Sequence, residues 1–301
     1  MYRHVVTIVI IGNNGQVSHY LQRALSEDYR VVATSRAQLD LSNCQSISAS
    51  LSAIDKAYSP KIIINPAAYT AVDLAEQEQE QANKINAQAV SEIGNYCAQN
   101  NISLIHFSTD YVFDGNANIA YTELDQPSPN GVYGKTKLAG EQALLKSNAV
   151  AVILRTAWVY SNHGKNFYKT MLELAKSRDT LSVVNDQFGA PTYAGSIADG
   201  VKVLVDHCIQ QGGIRESQKG VYHFTCQGQT NWCDFADQIF KQNDLNIKVN
   251  GIPSSDYPTP AKRPNFSVLD GTKLQQTFGV SLPNWEDALA DCVNETKQLV
   301  K

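Results

Sequence analysis

Ile102-Ser103-Leu104-Ile105-His106-Phe107-Ser108-Thr109-Asp110 and, one loop further on, Val132-Tyr133-Gly134-Lys135-Thr136-Lys137 are the segments from which this chain is read. The first is rich in apolar residues and free of Gly and Pro, as a buried strand is, and it ends on two hydroxyl residues and a carboxylate. Open α/β sheets bind ligands at the carboxyl ends of such strands. If the second run opens a helix, Tyr133 and Lys137 stand on one face, an ammonium beside a phenol. A phenol with a pKa of about 10 is a poor acid-base catalyst at neutral pH, but a neighbouring cation stabilises the phenolate and moves it towards the working range. A hydroxyl at the strand end would hold a substrate oxygen while Tyr133 protonates it. Spacing alone also fits a solvated tyrosine and lysine on a helix surface, so the surrounding segments decide.

The chain opens with the apolar run Val5-Val6-Thr7-Ile8-Val9-Ile10-Ile11, read as a buried strand, followed by Gly12-Asn13-Asn14-Gly15-Gln16-Val17-Ser18 and a helical pattern around Leu21, Ala24 and Leu25. Gly12 and Gly15 let the backbone approach a pyrophosphate, whose charge the N–H groups at the helix start receive. Ser18 stands where a third glycine is usual, and serine is the next small choice for close helix–strand packing. A second strand, near Arg30 to Thr34, ends at Ser35-Arg36 without the acidic residue that NAD-binding chains place against the ribose. Arg36 is read either as a partner for a 2′-phosphate, which favours NADPH over NADH, or as a solvated surface arginine. Asp40-Leu41 follows, with a contact to adenine or an N-cap at Asp40 or Ser42 as the two readings.

A third strand, Lys61 to Asn65, runs into Pro66-Ala67-Ala68-Tyr69-Thr70, whose small residues permit close passage of a dinucleotide, as they would equally build a tight turn. A helix through Ala82, Ile85, Ala89, Val90 and Ile93 contains Asn86, read as ordinary surface. Strands alternating with helices through Arg155 indicate parallel β-α-β units. The expected architecture is α/β: a Rossmann-type doubly wound parallel sheet with a smaller mixed α/β substrate-binding lobe. Residues 1–155 form the nucleotide-binding domain, with segments at about 195–225 packing back on it, and 156–301 form mainly the discontinuous lobe. Helices are expected near Phe167–Lys176, Ser196–Cys208 and Trp232–Lys241. Lys262 and Arg263, between prolines, read either as a grip on a diphosphate or as a solvated charged loop.

Composition narrows the partners. Of 301 residues 43% are hydrophobic and 18% charged, which describes a globular protein with room for a substantial core. The formal net charge of −4 and the lack of a basic stripe argue against nucleic acid and anionic membrane. The N-terminal apolar run is too short to span a bilayer and has no cleavage site after it. The six cysteines, with no C-x-x-C spacing, fit free thiols in a reducing cytoplasm.

Taken together, Gly12-x-x-Gly15-Gln16-Val17, Ser108-Thr109-Asp110-Tyr111-Val112-Phe113-Asp114-Gly115, Val132 to Glu141, Arg155-Thr156-Ala157-Trp158-Val159-Tyr160, Asn185 to Thr192 and Tyr257-Pro258-Thr259-Pro260-Ala261-x-Arg263-Pro264 resemble the extended short-chain dehydrogenase/reductase superfamily. Within it they are most similar to the reductases of dTDP-linked 4-keto sugars, and the resemblance spans nearly the whole chain. It implies hydride transfer from a nicotinamide cofactor, NADPH with NADH allowed, to C4 of a dTDP-6-deoxy-4-keto sugar, giving dTDP-L-rhamnose. By that analogy Tyr133 supplies the proton to the C4 oxygen, Lys137 lowers the phenol's pKa and holds the ribose, and Thr109 hydrogen-bonds the reacting oxygen. Gly15, Gln16, Val17, Ser35, Asp40, Leu41, Ala68, Tyr69, Thr70 and Phe107 match cofactor-lining positions, joined by Gly12 and Arg36. Asp110 and Trp158 match substrate-side positions, and Arg263 is counted with them. Some relatives dimerise around a magnesium ion held by glutamates. Here those places hold Tyr20 and Gly195, so no metal site and no metal-bridged dimer are expected, while a homodimer of another kind stays open.

Two rival readings remain at this point. A 4,6-dehydratase or 4-epimerase shares the Tyr-x-x-x-Lys arrangement, but a dehydratase generally carries Asp-Glu after the threonine, where this chain has Asp110-Tyr111. A relative of these reductases is instead a non-catalytic, NADP-binding regulatory subunit of methionine adenosyltransferase.

Overall fold

The computed structural model describes residues 6–299, so Val5 of the expected first strand lies outside them. The chain runs through β1 (Thr7–Ile11), α1 (Gln16–Leu25), β2 (Arg30–Thr34), α2 (Cys44–Tyr58) and β3 (Ile62–Asn65). Two short helices, α3 (Val72–Ala75) and α4 (Gln79–Asn83), lead through a π-helical turn at Lys84–Gln88 into α5 (Ala89–Asn100). Then come β4 (Ser103–Thr109), a long loop, α6 (Val132–Lys146) and β5 (Ala151–Thr156). The remainder comprises β6 (Val159–Tyr160), α7 (Phe167–Leu174), β7 (Thr180–Val184), β8 (Phe188–Gly189), β9 (Thr192–Tyr193) and α8 (Ala194–Gln210). It closes with β10 (Gly220–His223), β11 (Thr230–Asn231), α9 (Trp232–Gln242), β12 (Lys248–Ile252), α10 (Thr272–Phe278) and α11 (Trp285–Leu299).

The main sheet has six parallel strands in the order β10-β5-β4-β3-β1-β2. Because the chain winds outwards in both directions from β1, the crevice beside β1 and β3 is the topological switch point where ligands bind. The apolar runs follow from burial on both faces. Ile8, Ile10, Ile62, Ile64, Ile105, Phe107, Val152 and Leu154 join one core with α1 and α8, while Val9, Ile11, Ile63, Leu104 and Ile153 join the other with α2 and α5. This period-two alternation means that a slip of one residue would exchange the two cores.

The later part of the chain is not separately cored. Tyr160, Tyr168, Phe235 and Trp285 belong to the same cluster as β1 and α8, so the lobe is welded to one face of the sheet. Its own strands form three two-stranded ladders, β12 with β7, β11 with β8 and β6 with β9. β10 returns to the main sheet as its edge beside β5. The three helices expected in this half start within two residues of where they were placed.

Candidate active site

A cavity of about 690 Å³ opens along the carboxyl ends of β1, β3 and β4 and is closed on one side by α6. At one end lies the glycine turn. Gly12 adopts φ +86°, a conformation costly for any side-chain-bearing residue, and its N–H donates to Thr34 Oγ1 at 3.2 Å. Ser18 is buried and its hydroxyl donates to the Gly12 carbonyl, so the serine that replaces the third glycine ties the turn to α1. A Cβ placed on Gly15 would meet nothing within 4 Å, and the first N–H groups of the ten-residue helix α1 lack intrahelical partners. An anion such as a pyrophosphate fits this cradle. Gln16 is oriented from the far lobe, its Oε1 accepting from Ser161 Oγ at 2.9 Å and Asn166 Nδ2 at 2.8 Å.

At the other end stand Thr109, Asp110, Tyr133, Lys137 and Trp158, all lining the same cavity. The geometry of α6 explains why they meet. A Cβ on Gly134 would lie 2.1 Å from the Tyr111 carbonyl, so only glycine lets this helix approach the loop after β4. The N–H of Val132 donates to Glu76 Oε1 at 2.8 Å, capping the helix from the neighbouring segment. Lys137 is buried at 2% exposure and its Nζ donates to the Phe107 carbonyl at 2.6 Å.

One expectation is corrected here. The phenol of Tyr133 is not drawn towards neutral pH: burial pushes it up to about 12, the Thr109 hydroxyl lowers it in part, and the Asp110 charge raises it. Lys137 gives one of its three N–H groups to a backbone carbonyl, and burial brings its own pKa down to about 8, opposed by Glu141. Desolvation is thus the largest influence on this phenol, which carries its proton at neutral pH.

Asp110 is 1% exposed, and burial raises its pKa to about 6, opposed by the Ser267 and Thr109 hydroxyls. Its Oδ1 accepts from Thr109 Oγ1 at 3.0 Å, whereas Oδ2 is buried without a hydrogen-bond partner. The folded state therefore holds this proton more tightly than the unfolded chain does. Between pH about 4 and about 6 the unfolded state has released it and the folded state has not, so this group's stabilisation is lost as pH rises through that window. Asp110→Asn is expected to raise the thermal midpoint at pH 8 and to change it much less at pH 4; equal shifts at both pH values would contradict the assignment.

Sequence reasoning missed several groups. Asn86, read as surface, is fully buried in the π-helical turn: it takes the Tyr69 N–H at 2.8 Å and donates to the Tyr69 carbonyl and Thr136 Oγ1, each at 3.1 Å. It thereby ties the loop after β3 to the Tyr133 helix. Glu141 and Arg155 form a buried ion pair below the site, with Nη2 to Oε2 at 2.6 Å and Nε to Oε1 at 2.9 Å, and Ser108 Oγ donates to the same Oε1 at 2.5 Å. The only sequence signal for either feature was a polar residue in an apolar pattern.

Three expected contacts fall outside the cavity lining. Ser35 is turned to Gln38, its N–H and hydroxyl both on Gln38 Oε1. The Tyr69 hydroxyl donates to Glu78 Oε2 at 2.8 Å, although Ala68 and Thr70 on either side do line the cavity. Arg263 is held by Asp73 through Nη1 at 3.1 Å and Nη2 at 2.8 Å, so the guanidinium expected on a diphosphate is neutralised by a local carboxylate; Lys262 is exposed. Gly12, Gly15, Gln16, Val17, Arg36, Asp40, Leu41 and Phe107 are in the lining. Arg36 is largely exposed, with Nε 3.4 Å from Asp40 Oδ1, while Asp40 also accepts from the N–H and hydroxyl of Ser42. This leaves its guanidinium at the cavity rim.

A family model described as the RmlD substrate binding domain matches residues 6–298. The chain belongs to the RmlD family. It is similar to the dTDP-4-dehydrorhamnose reductase of Escherichia coli strain K12, with 41% identity over 297 residues covering 96% of this chain and 98% of that one. Among solved structures, the Bacillus anthracis dTDP-4-dehydrorhamnose reductase in complex with NADP superposes with a TM-score of 0.89 at 32% identity, covering 97% of this chain and 99% of the other. The Clostridium acetobutylicum dTDP-4-dehydrorhamnose reductase gives 0.88 at 35% identity, with 97% and 100% covered. The RmlD frame thus accounts for both the sheet and the lobe. Among the described residues of this RmlD chain, no group of three or more His, Cys, Asp or Glu stands together as a metal site, and no helix is long and apolar enough to cross a membrane.

Proposed function

We propose that this chain reduces the C4 ketone of dTDP-4-dehydro-L-rhamnose with NADPH, giving dTDP-L-rhamnose. The observation that carries the reading is the single cavity joining the glycine turn to Thr109, Tyr133 and Lys137. Bound NADPH supplies the hydride. Gly12, Gly15 and the first N–H groups of α1 receive the pyrophosphate, and Lys137 holds the ribose. Tyr133 gives its proton to the C4 oxygen as charge develops there, and Thr109 hydrogen-bonds the same oxygen. Asp110 and Trp158 line the sugar.

Likeness to reductases over nearly the whole of both chains supports an enzyme over a purely regulatory subunit. Against a dehydratase, the position after Asp110 is Tyr111, whose ring meets the Tyr133 ring edge-on at 5.6 Å and offers no carboxylate. The reading includes a cytoplasmic setting, supported by six free cysteines. It does not include a metal-bridged dimer. The Tyr20 hydroxyl is engaged 2.6 Å from both Asn162 Oδ1 and Glu295 Oε2, and a Cβ at Gly195 would strike the Tyr193 ring at 2.4 Å.

The test mixes purified protein with NADPH and dTDP-4-dehydro-L-rhamnose, follows cofactor absorbance and identifies the sugar. Stoichiometric NADPH oxidation with dTDP-L-rhamnose as product is expected. A sugar altered without net NADPH consumption would overturn the reductase in favour of an epimerase or dehydratase, and no turnover would favour the regulatory subunit. Arg36 is expected to read the 2′-phosphate: Arg36→Ala should raise the KM for NADPH about tenfold and leave that for NADH nearly unchanged. Equal effects on both cofactors would remove Arg36 from that role.

A further inference from the structure

Residues 161–166, between β6 and α7, form a strap that the lobe lays across the glycine turn and the start of α1. The Tyr20 hydroxyl lies 2.6 Å from Asn162 Oδ1, and His163 Nε2 lies 3.3 Å from the Asn14 carbonyl, its ring stacked on that of His19 with centroids 4.2 Å apart. Gly164 adopts φ +72°, and a Cβ there would sit 3.3 Å from Gln16 Cγ, so the strap passes close over this side chain. Gln16 is the first residue of α1 and belongs to the cavity lining.

Fixed backbone groups decide which way the amides under this strap face. The Lys169 N–H, in the first turn of α7, can only donate, so it takes Asn166 Oδ1, at 3.1 Å. The Ser161 carbonyl can only accept, so it takes Asn166 Nδ2, at 2.7 Å. With both ends of Asn166 assigned, its NH2 also faces Gln16 across 2.8 Å, and Gln16 must answer with Oε1. Ser161 imposes no such choice: its Oγ stands 2.9 Å from both Gln16 Oε1 and the His163 carbonyl, and a hydroxyl accepts as readily as it donates. The NH2 of Gln16 is then the end left for a ligand.

We propose that Asn166 is a positioning residue for the cofactor: through the Gln16 carboxamide it turns an N–H donor, and not a carbonyl oxygen, towards the pyrophosphate of the dinucleotide. The inference rests on the cofactor and is independent of the identity of the sugar. A pyrophosphate only accepts and is negatively charged, so an amide facing it by its NH2 makes a charge-assisted hydrogen bond, whereas the same amide reversed sets an oxygen lone pair against an anion. Unaided, a glutamine carboxamide reverses at little cost, because its last torsion is broad and two-fold. The lobe thus sets the polarity of a group in the nucleotide cradle, from 150 positions away in the chain.

The test measures the Kd of the full chain for NADPH and for NADH by the fluorescence of the reduced nicotinamide, with no sugar present, in wild type, Asn166→Asp, Gln16→Met and the double variant; the thermal midpoint checks folding. Aspartate caps α7 as well as asparagine does but cannot donate, so Gln16 turns its NH2 to the new carboxylate and its Oε1 to the phosphates. Both Kd values should rise about tenfold or more, since both cofactors carry the pyrophosphate. Gln16→Met should show a similar loss, and the double variant should stay within about threefold of Gln16→Met alone. Asn166→Ser, which keeps a capping oxygen but is too short to reach Gln16, carries the same comparison if the aspartate variant does not fold. An Asn166 variant that binds both cofactors within about twofold of wild type overturns the inference. Losses that multiply in the double variant overturn it as well, because Asn166 would then act by a route other than Gln16. A loss confined to NADPH does the same, since it would move the contact to the 2′-phosphate.

Discussion

Tyr133→Phe lowers kcat by about a hundred- to ten-thousand-fold and leaves the affinity for NADPH within roughly threefold, because it removes one hydroxyl and little else. The argument rests on the state of that hydroxyl. Burial pushes the phenol up to about 12, so at neutral pH nearly every molecule carries the proton that a ketone reduction consumes. Tyr133 can therefore pass its proton to the C4 oxygen as negative charge develops there. The sequence expectation of an acidified phenol suits the reverse reaction, in which a phenolate would have to accept a proton. Alcohol oxidation needs the phenolate form of the same group, so its rate is expected to rise with pH. A Tyr133→Phe variant retaining more than about a tenth of wild-type kcat would show that another group donates the proton.

Arg155→Met destabilises the fold by about 3–5 kcal/mol, because it strands the Glu141 carboxylate in the interior. The side chains of Glu141 and Arg155 are 1% and 4% exposed and paired through two hydrogen bonds. The arginine also lies over the Phe113 ring, 5.0 Å from its centroid, with Nη1 3.5 Å from His223 Nε2. His223 provides no substitute charge: burial and the neighbouring arginine bring its pKa down to about 3, so it is neutral. After the substitution only the Ser108 hydroxyl would remain on Glu141. For a chain of this size such a loss lowers the thermal midpoint by on the order of 10 °C. The double variant Glu141→Leu with Arg155→Met should recover most of it, since a buried pair replaced by apolar groups of similar volume is often neutral. A double variant as unstable as Arg155→Met alone would show that the pair's geometry, and not the stranded charge, holds β5 to α6. The pair also bears on chemistry, because Glu141 stands one helical turn beyond Lys137 and is the charge that opposes the lowering of its pKa.

Much of the frame was legible because it is local. Strands covered on both faces spell uninterrupted apolar runs, as Ile62 to Ile64 and Val152 to Leu154 do, and the helices between them announce parallel crossovers. Thr109, Tyr133 and Lys137 were legible because one strand end and one helical turn bring them into the cavity lining. Long-range pairing was not. Arg263 looked free between prolines, yet it meets Asp73 from 190 positions away. Asn86 looked like surface because a π-helical turn, which no apolar periodicity signals, carries it inward to Tyr69 and Thr136. Asn166 gave no sign of reaching Gln16, since the loop that brings it there comes from the lobe, 150 positions away. The sign of the Tyr133 shift was misjudged for a related reason: sequence places Lys137 nearby but does not show the depth of burial, and desolvation is the largest influence on the phenol.

The central claim is that Tyr133, Thr109 and the glycine-turn cradle serve one hydride reduction at C4 of a dTDP-linked keto-sugar. NADPH carrying deuterium at the transferring carbon of its nicotinamide ring, incubated with the protein and dTDP-4-dehydro-L-rhamnose, tests it most directly. The account predicts dTDP-L-rhamnose with one deuterium at C4 and none elsewhere. Deuterium at any other carbon, or a product without deuterium, would contradict it.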